Sequence, residues 1–138
     1  MRLELDSFSA VYQRGTPFEV AALSGVSLAV ASGERLGIVG PAGSGKTTLL
    51  EALAGMVPPA AGSVIHDGRV LGRRQLPEAG AVGIAFQSPE DCLFAGTVFD
   101  DVAFGPRRLG LAAGEVERRA VSSLEAVGLN PVAFGPRH

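Results

Sequence analysis

The residues best equipped for chemistry form one run, Gly40-Pro41-Ala42-Gly43-Ser44-Gly45-Lys46-Thr47-Thr48. It fits G-x-x-x-x-G-K-[ST], the spacing of a loop that cradles phosphate. Glycines at this spacing let successive backbone N–H groups point inward at phosphate oxygens. Lys46 would reach the β- and γ-phosphates and the Thr47 hydroxyl would ligate Mg²⁺. Thr48 could bond an α-phosphate oxygen. Lys46 is the one lysine among 12 basic residues; the rest are arginine. A compact ammonium suits a phosphate cradle where a wide planar guanidinium does not. The run therefore implies a bound nucleoside triphosphate.

The chain holds 19 glycines, so a glycine-rich turn can match the pattern by chance and the flanking elements decide. Leu36-Gly37-Ile38-Val39 is a short apolar run, the pattern of a strand buried on both faces. Lys46 to Ala54 reads as a helix, with Leu49, Leu50 and Leu53 on one side and Gly55 and Pro58-Pro59 after it. Strand, glycine loop and helix are the context such a loop requires, and the helix N-terminus adds partial positive charge.

Upstream, Leu3 and Leu5, then Val26, Leu28 and Val30, alternate with polar or small residues and read as strands with one buried face. Downstream, Ser63–Ile65 and Arg69–Leu71 flank His66-Asp67-Gly68, a hairpin with Asp-Gly at its turn. Ala81 to Phe86 reads as a further apolar strand. Thr97 caps a predicted helix that runs through Phe104, with Asp100 in the capping-box position, and Gly105-Pro106 is its expected stop. Glu115 to Val127 is amphipathic, with Val116, Ala120, Leu124 and Val127 on one stripe, closed by Gly128. His66 reads as a hairpin surface residue and Cys92 as a small buried apolar one. The order indicates an α/β sheet with antiparallel strands at its front.

The 138 residues suit one domain, and a net charge of −2 without blocks of like charge gives no footprint for nucleic acid. A single cysteine excludes an intrachain disulfide and points to a reducing interior. Met1 to Asp6 alternates charge and leucine, unlike a signal peptide. The most apolar run, Val20 to Val30, is too short and too polar to span a bilayer. A soluble chain is expected, with any membrane connection made through a partner.

Beyond the loop the chain resembles one family. Ser24-Gly25-Val26-Ser27-Leu28 and Ser32 to Gly40 look like the opening of an ABC-type ATP-binding subunit. Ala85-Phe86-Gln87-Ser88-Pro89 looks like its Q-loop. Glu90 to Val98, Asp101 to Leu111 and Gly15 to Glu19 are similar to the cobalt/energy-coupling-factor group of metal and vitamin importers. The resemblance implies an α/β fold: a P-loop NTPase core with N-terminal antiparallel strands, truncated before the second half of the sheet. It divides residues 1–87, the antiparallel lobe and P-loop core, from 88–138, the Q-loop and start of a helical subdomain.

The resemblance also implies roles. ATP and Mg²⁺ are the bound species, with Gly40 to Thr48 on the phosphates and Thr47 and Gln87 at Mg²⁺. Tyr12 stands where the family stacks an aromatic on adenine; a half-buried tyrosine at a strand end is the alternative. Ser88 to Gly110 aligns with the region that grips a transmembrane component, and Phe94, Phe99 and Phe104 either face that partner or form the core of a helical subdomain. The implied partners are that component and a second ATP-binding subunit, at the cytoplasmic face of the cell membrane. Ala42 replaces a more usual polar residue.

No signature Leu-Ser-Gly-Gly stretch, no apolar strand ending in Asp-Glu and no switch histidine follow Gln87. In relatives the signature would begin shortly after a stretch resembling Gly128 to His138. No catalytic residue is therefore assigned; these residues are expected to hold Mg·ATP weakly at best and not to cleave it. Leu36–Val39 and Ala81–Phe86 would lack the neighbouring strands the family places between them, so marginal stability is expected. Two other readings stay open: another P-loop ATPase or kinase fragment, and a non-catalytic remnant.

Overall fold

The computed structural model describes residues 1–71, 77 and 80–130. It forms two compact units, one spanning Met1–Ile84 and the other starting at Ala85. Residues 131–138, part of the stretch resembling the family before its signature, lie outside the described residues.

The first unit is built on four antiparallel strands: β1 (Leu3–Tyr12), β2 (Val20–Val30), β3 (Ala61–His66) and β4 (Arg69–Leu71), in the order β2-β1-β3-β4. Helix α1 (Lys46–Leu53) follows the glycine loop. Strict alternation in β1 would place Leu5 and Phe8 on opposite faces. Both are buried, because register shifts between Leu5 and Phe8 and a left-handed Ser7 (φ 48°) insert a bulge. Leu5, Phe8, Ala10, Leu23 and Val64 thus form one core with Ala52 and Leu53 of α1. The β3–β4 hairpin turns where expected: Asp67 (φ 46°) and Gly68 (φ 77°) are both left-handed, which a two-residue type I′ turn requires.

Two expected strands are absent. Leu36–Val39 is irregular, with Leu36 exposed and Val39 94% exposed. Residues 82–86 are irregular too, and Phe86 is exposed. An apolar run becomes a buried strand only when neighbours supply ladder bonds and side-chain cover. Among the described residues the sheet stops at β4.

The second unit contains a 3₁₀ turn (Pro89–Cys92) and helices α2 (Val98–Arg108) and α3 (Ala113–Ala126). Ala103, Val116 and Ala120 are its core, packed by Phe99, Val102 and Leu111. Contrary to expectation, α2 continues through Gly105-Pro106. Pro106 lies in the last turn of α2, and the further clash of a proline ring with the residue before it is eased because Gly105 has no Cβ. Leu124 is buried as expected, whereas Val127 is 71% exposed because the helix ends before it. Cys92 is exposed rather than buried.

Helices α1, α2 and α3 close alike. After α1, the amides of Gly55 and Met56 donate to Ala52 O and Glu51 O, both at 2.9 Å. Gly110 and Leu111 do the same after α2, and Gly128 and Leu129 after α3. Each glycine is left-handed, as this C-terminal closure demands.

Candidate functional site

The phosphate loop takes the conformation its composition allows. Gly45 is the N-cap of α1 at φ 87° and ψ 9°. A Cβ there would lie 2.7 Å from Ala22 O and 3.1 Å from Leu23 Cδ2. Both the backbone angle and the close approach of β2 therefore require glycine. Gly43 is also left-handed, at φ 78°. Gly40 is not left-handed, but a Cβ there would meet Ser44 Oγ at 2.8 Å.

Lys46, half-buried, curls back over the loop. Its Nζ donates to Gly40 O at 2.9 Å and Pro41 O at 2.7 Å, with Ser44 Oγ at 3.5 Å. The ammonium thus sits within the arc that the loop encloses. Pro41, Ala42, Gly43 and Ser44 form the exposed rim of that arc. Thr47 is exposed in the first turn of α1. The N–H groups of that turn have no intrahelical acceptors and carry the positive end of the helix dipole. Left-handed glycines, an inward lysine and a free first turn fit a phosphate group and suit Thr47 to a phosphate-bound cation. Among the described residues no group of three His, Cys, Asp or Glu could hold a metal ion.

Tyr12 and Thr48, read separately from the sequence, are brought together. The Tyr12 hydroxyl donates to Thr48 Oγ1 at 3.3 Å. Thr48 is 9% exposed and Tyr12, at the end of β1, 41%. Gln87 belongs to the other unit, where it is exposed on an irregular stretch.

Two positioning residues escaped the sequence reading. His66 is buried, and its Nε2–H donates to Leu53 O at 2.7 Å, so it is not the surface residue expected. Its position two residues after the buried Val64 on the same strand was the available signal. Asp101 holds the segment before α2: its Oδ1 accepts from the amides of Phe94 (3.2 Å) and Ala95 (3.0 Å). Above it Phe94 and Phe104, both exposed, meet edge to face with centroids 4.7 Å apart. Phe99 packs against the helical core instead.

At Thr97 the capping differs from a reciprocal box. Thr97 Oγ1 accepts from the Asp100 amide at 3.0 Å and donates to Asp100 Oδ2 at 2.8 Å. Arg107 adds a bond to Asp100 Oδ1 at 2.9 Å. The Thr97 hydroxyl first, and Arg107 second, hold the Asp100 carboxyl below the usual aspartate range.

Comparison with known proteins places the chain in a family. The ABC transporter family model matches residues 23–134. The chain is 47% identical over 134 residues to the energy-coupling factor transporter ATP-binding protein EcfA2 of Symbiobacterium thermophilum, covering 95% of this chain and 46% of that protein. It is 46% identical over 131 residues to EcfA of Methanothermobacter thermautotrophicus, covering 93% and 41%. The fold matches cbiO1 of Clostridium perfringens, part of the ABC transporter complex cbiONQ, at a TM-score of 0.74 and 28% identity, covering 97% of this chain and 53% of that one. The chain spans about half the length of these relatives. On the residues matched and the fold shared, this chain belongs to the ABC transporter family and is similar to its energy-coupling-factor ATP-binding subunits.

Proposed function

We propose that the chain supplies the nucleotide-binding P-loop of an importer's ATP-binding subunit, one that energises uptake of a metal ion or vitamin through a membrane partner. The observation that carries this reading is Lys46 folded onto Gly40 O and Pro41 O above left-handed Gly43 and Gly45. On binding ATP, Lys46 would exchange those two carbonyls for β- and γ-phosphate oxygens, while the amides of the loop and of the first turn of α1 cradle the rest. Thr47 and Gln87 would hold Mg²⁺, whose charge offsets that of the phosphates. Tyr12 would lie at the adenine end.

Residues 1–87 form the nucleotide-binding part in this reading, and 88–138 the Q-loop and the start of the partner-facing subdomain. The exposed Phe94–Phe104 pair supports a contact with the transmembrane component. No helix among the described residues is long and apolar enough to cross a membrane; in this reading the subunit attaches at the cytoplasmic face through that component. A second ATP-binding subunit completes the assembly.

Phosphoryl transfer rests on positioning and electrostatics, and no residue of this chain is assigned to activate water. Phosphate release tests this directly. The chain in Mg·ATP is expected to release no more phosphate than its Lys46→Ala variant; sustained release that Lys46→Ala removes would contradict the proposal.

A further inference from the structure

Tyr12 is the last residue of β1 and Thr48 the third of α1. Both ends of their hydrogen bond are anchored. Tyr12 pairs with Val20 in the β1–β2 ladder. The next residue, Gln13, is left-handed (φ 51°), and its carbonyl accepts from Thr16 N at 3.1 Å and Thr16 Oγ1 at 2.7 Å. Thr48 is buried in the first turn of α1, two residues after the lysine of the phosphate loop.

A hydroxyl carries one proton and two lone pairs. A phenol is a stronger donor than an aliphatic alcohol, so Tyr12 donates and Thr48 accepts. The Thr48 proton is then left for an acceptor, and the two bonds in series polarise one another. At 3.3 Å the contact is long, with room to tighten as an anionic oxygen draws on the Thr48 proton. An aromatic that only stacks on a base has no use for its hydroxyl.

We propose that Tyr12 is a positioning residue for the phosphate end of the loop: its hydroxyl, bonded to Thr48 Oγ1, turns the Thr48 proton toward a phosphate oxygen. This rests on the ATP-binding reading above. It assigns the Tyr12 hydroxyl a task that is independent of the base.

The test is calorimetric titration of the 138-residue chain with Mg·ATP and with inorganic tripolyphosphate, which has no base. Tyr12→Phe is expected to weaken both ligands by a similar factor of about 3 to 10, the share of one neutral hydrogen bond. That loss should vanish in the Thr48→Val background, or in Thr48→Ala should Thr48→Val fail to fold, and persist in Thr48→Ser. A contact that only ties β1 to α1 would lower the thermal midpoint in Tyr12→Phe and leave tripolyphosphate affinity unchanged. The inference is overturned if Tyr12→Phe leaves tripolyphosphate binding unchanged, or if the losses simply add in the double variant. Should Lys46→Ala abolish binding while Tyr12→Phe does nothing, this inference fails and the P-loop reading stands. Should the unaltered chain bind neither ligand, both fail.

Discussion

His66 Nε2 donates to the Leu53 carbonyl across 2.7 Å, joining the end of β3 to the last turn of the P-loop helix. The last four carbonyls of a helix have no intrahelical donor, and here a buried imidazole supplies one. The helix that begins at the phosphate loop is therefore held at its far end by the β3–β4 hairpin. Replacing His66 with Leu keeps the bulk and removes the donor. The expected loss is about 1–3 kcal/mol of stability, read from the urea midpoint at pH 7. An unchanged midpoint would show that Leu53 O is satisfied some other way.

Gly45 admits no side chain. Gly45→Ala forces a left-handed alanine, costing about 1–2 kcal/mol, and drives its Cβ toward Ala22 O and Leu23 Cδ2. Thermal unfolding should register at least that loss, and titration with a fluorescent ATP analogue should show weakened binding. Gly37→Ala is the control, since a Cβ there meets nothing within 4 Å; it should leave both readouts unchanged.

Acid should loosen the helical unit. The Asp100 carboxyl is held low by Thr97 and then Arg107, and that of Glu115 by Arg118 and then Arg119. A depressed folded value means the stabilisation is present above the unfolded pKa, near pH 4, and is lost as pH falls through the folded one. The stability difference between the unaltered chain and Asp100→Asn should therefore shrink as pH drops below about 4. A difference independent of pH would contradict the assignment.

Among the described residues, Thr97 is the only α-helix cap whose side chain bonds the helix backbone. Thr97→Ala should cost about 1 kcal/mol, while Thr97→Ser should keep most of the stability. Loss of the same size in both, by chemical denaturation, would point to the methyl group rather than the hydroxyl.

The exposed Phe94–Phe104 pair should matter for partnership and not for nucleotide. Alanine at both positions is expected to reduce copurification with the transmembrane component while leaving ATP-analogue affinity unchanged. Equal loss of both would place the pair in the fold rather than at a contact.

Local chemistry made much of this legible in advance. Asp67-Gly68 marks a turn because both residues must be left-handed, and Gly55 and Gly128 mark helix ends for the same reason. The phosphate loop was readable because its glycines answer to backbone geometry within a few residues. Leu36–Val39 was misread because a buried strand depends on neighbours distant in the chain, which an apolar run cannot announce. Gly105-Pro106 reads as a stop because proline usually breaks a helix; Gly105, without a Cβ, eases only the clash with the preceding residue, and the helix runs on for two residues. The Tyr12–Thr48 contact spans 36 residues and depends on the bulged path of β1, which no local pattern reports.

The central claim is that Gly40 to Thr48 bind the phosphates of ATP through Lys46. Calorimetric titration of Mg·ATP into the unaltered chain and into Lys46→Ala tests it most directly. Saturable binding by the first, lost in the second while its circular dichroism and unfolding midpoint are retained, is the predicted result. Equal binding by both proteins, or none by the unaltered chain, would contradict it.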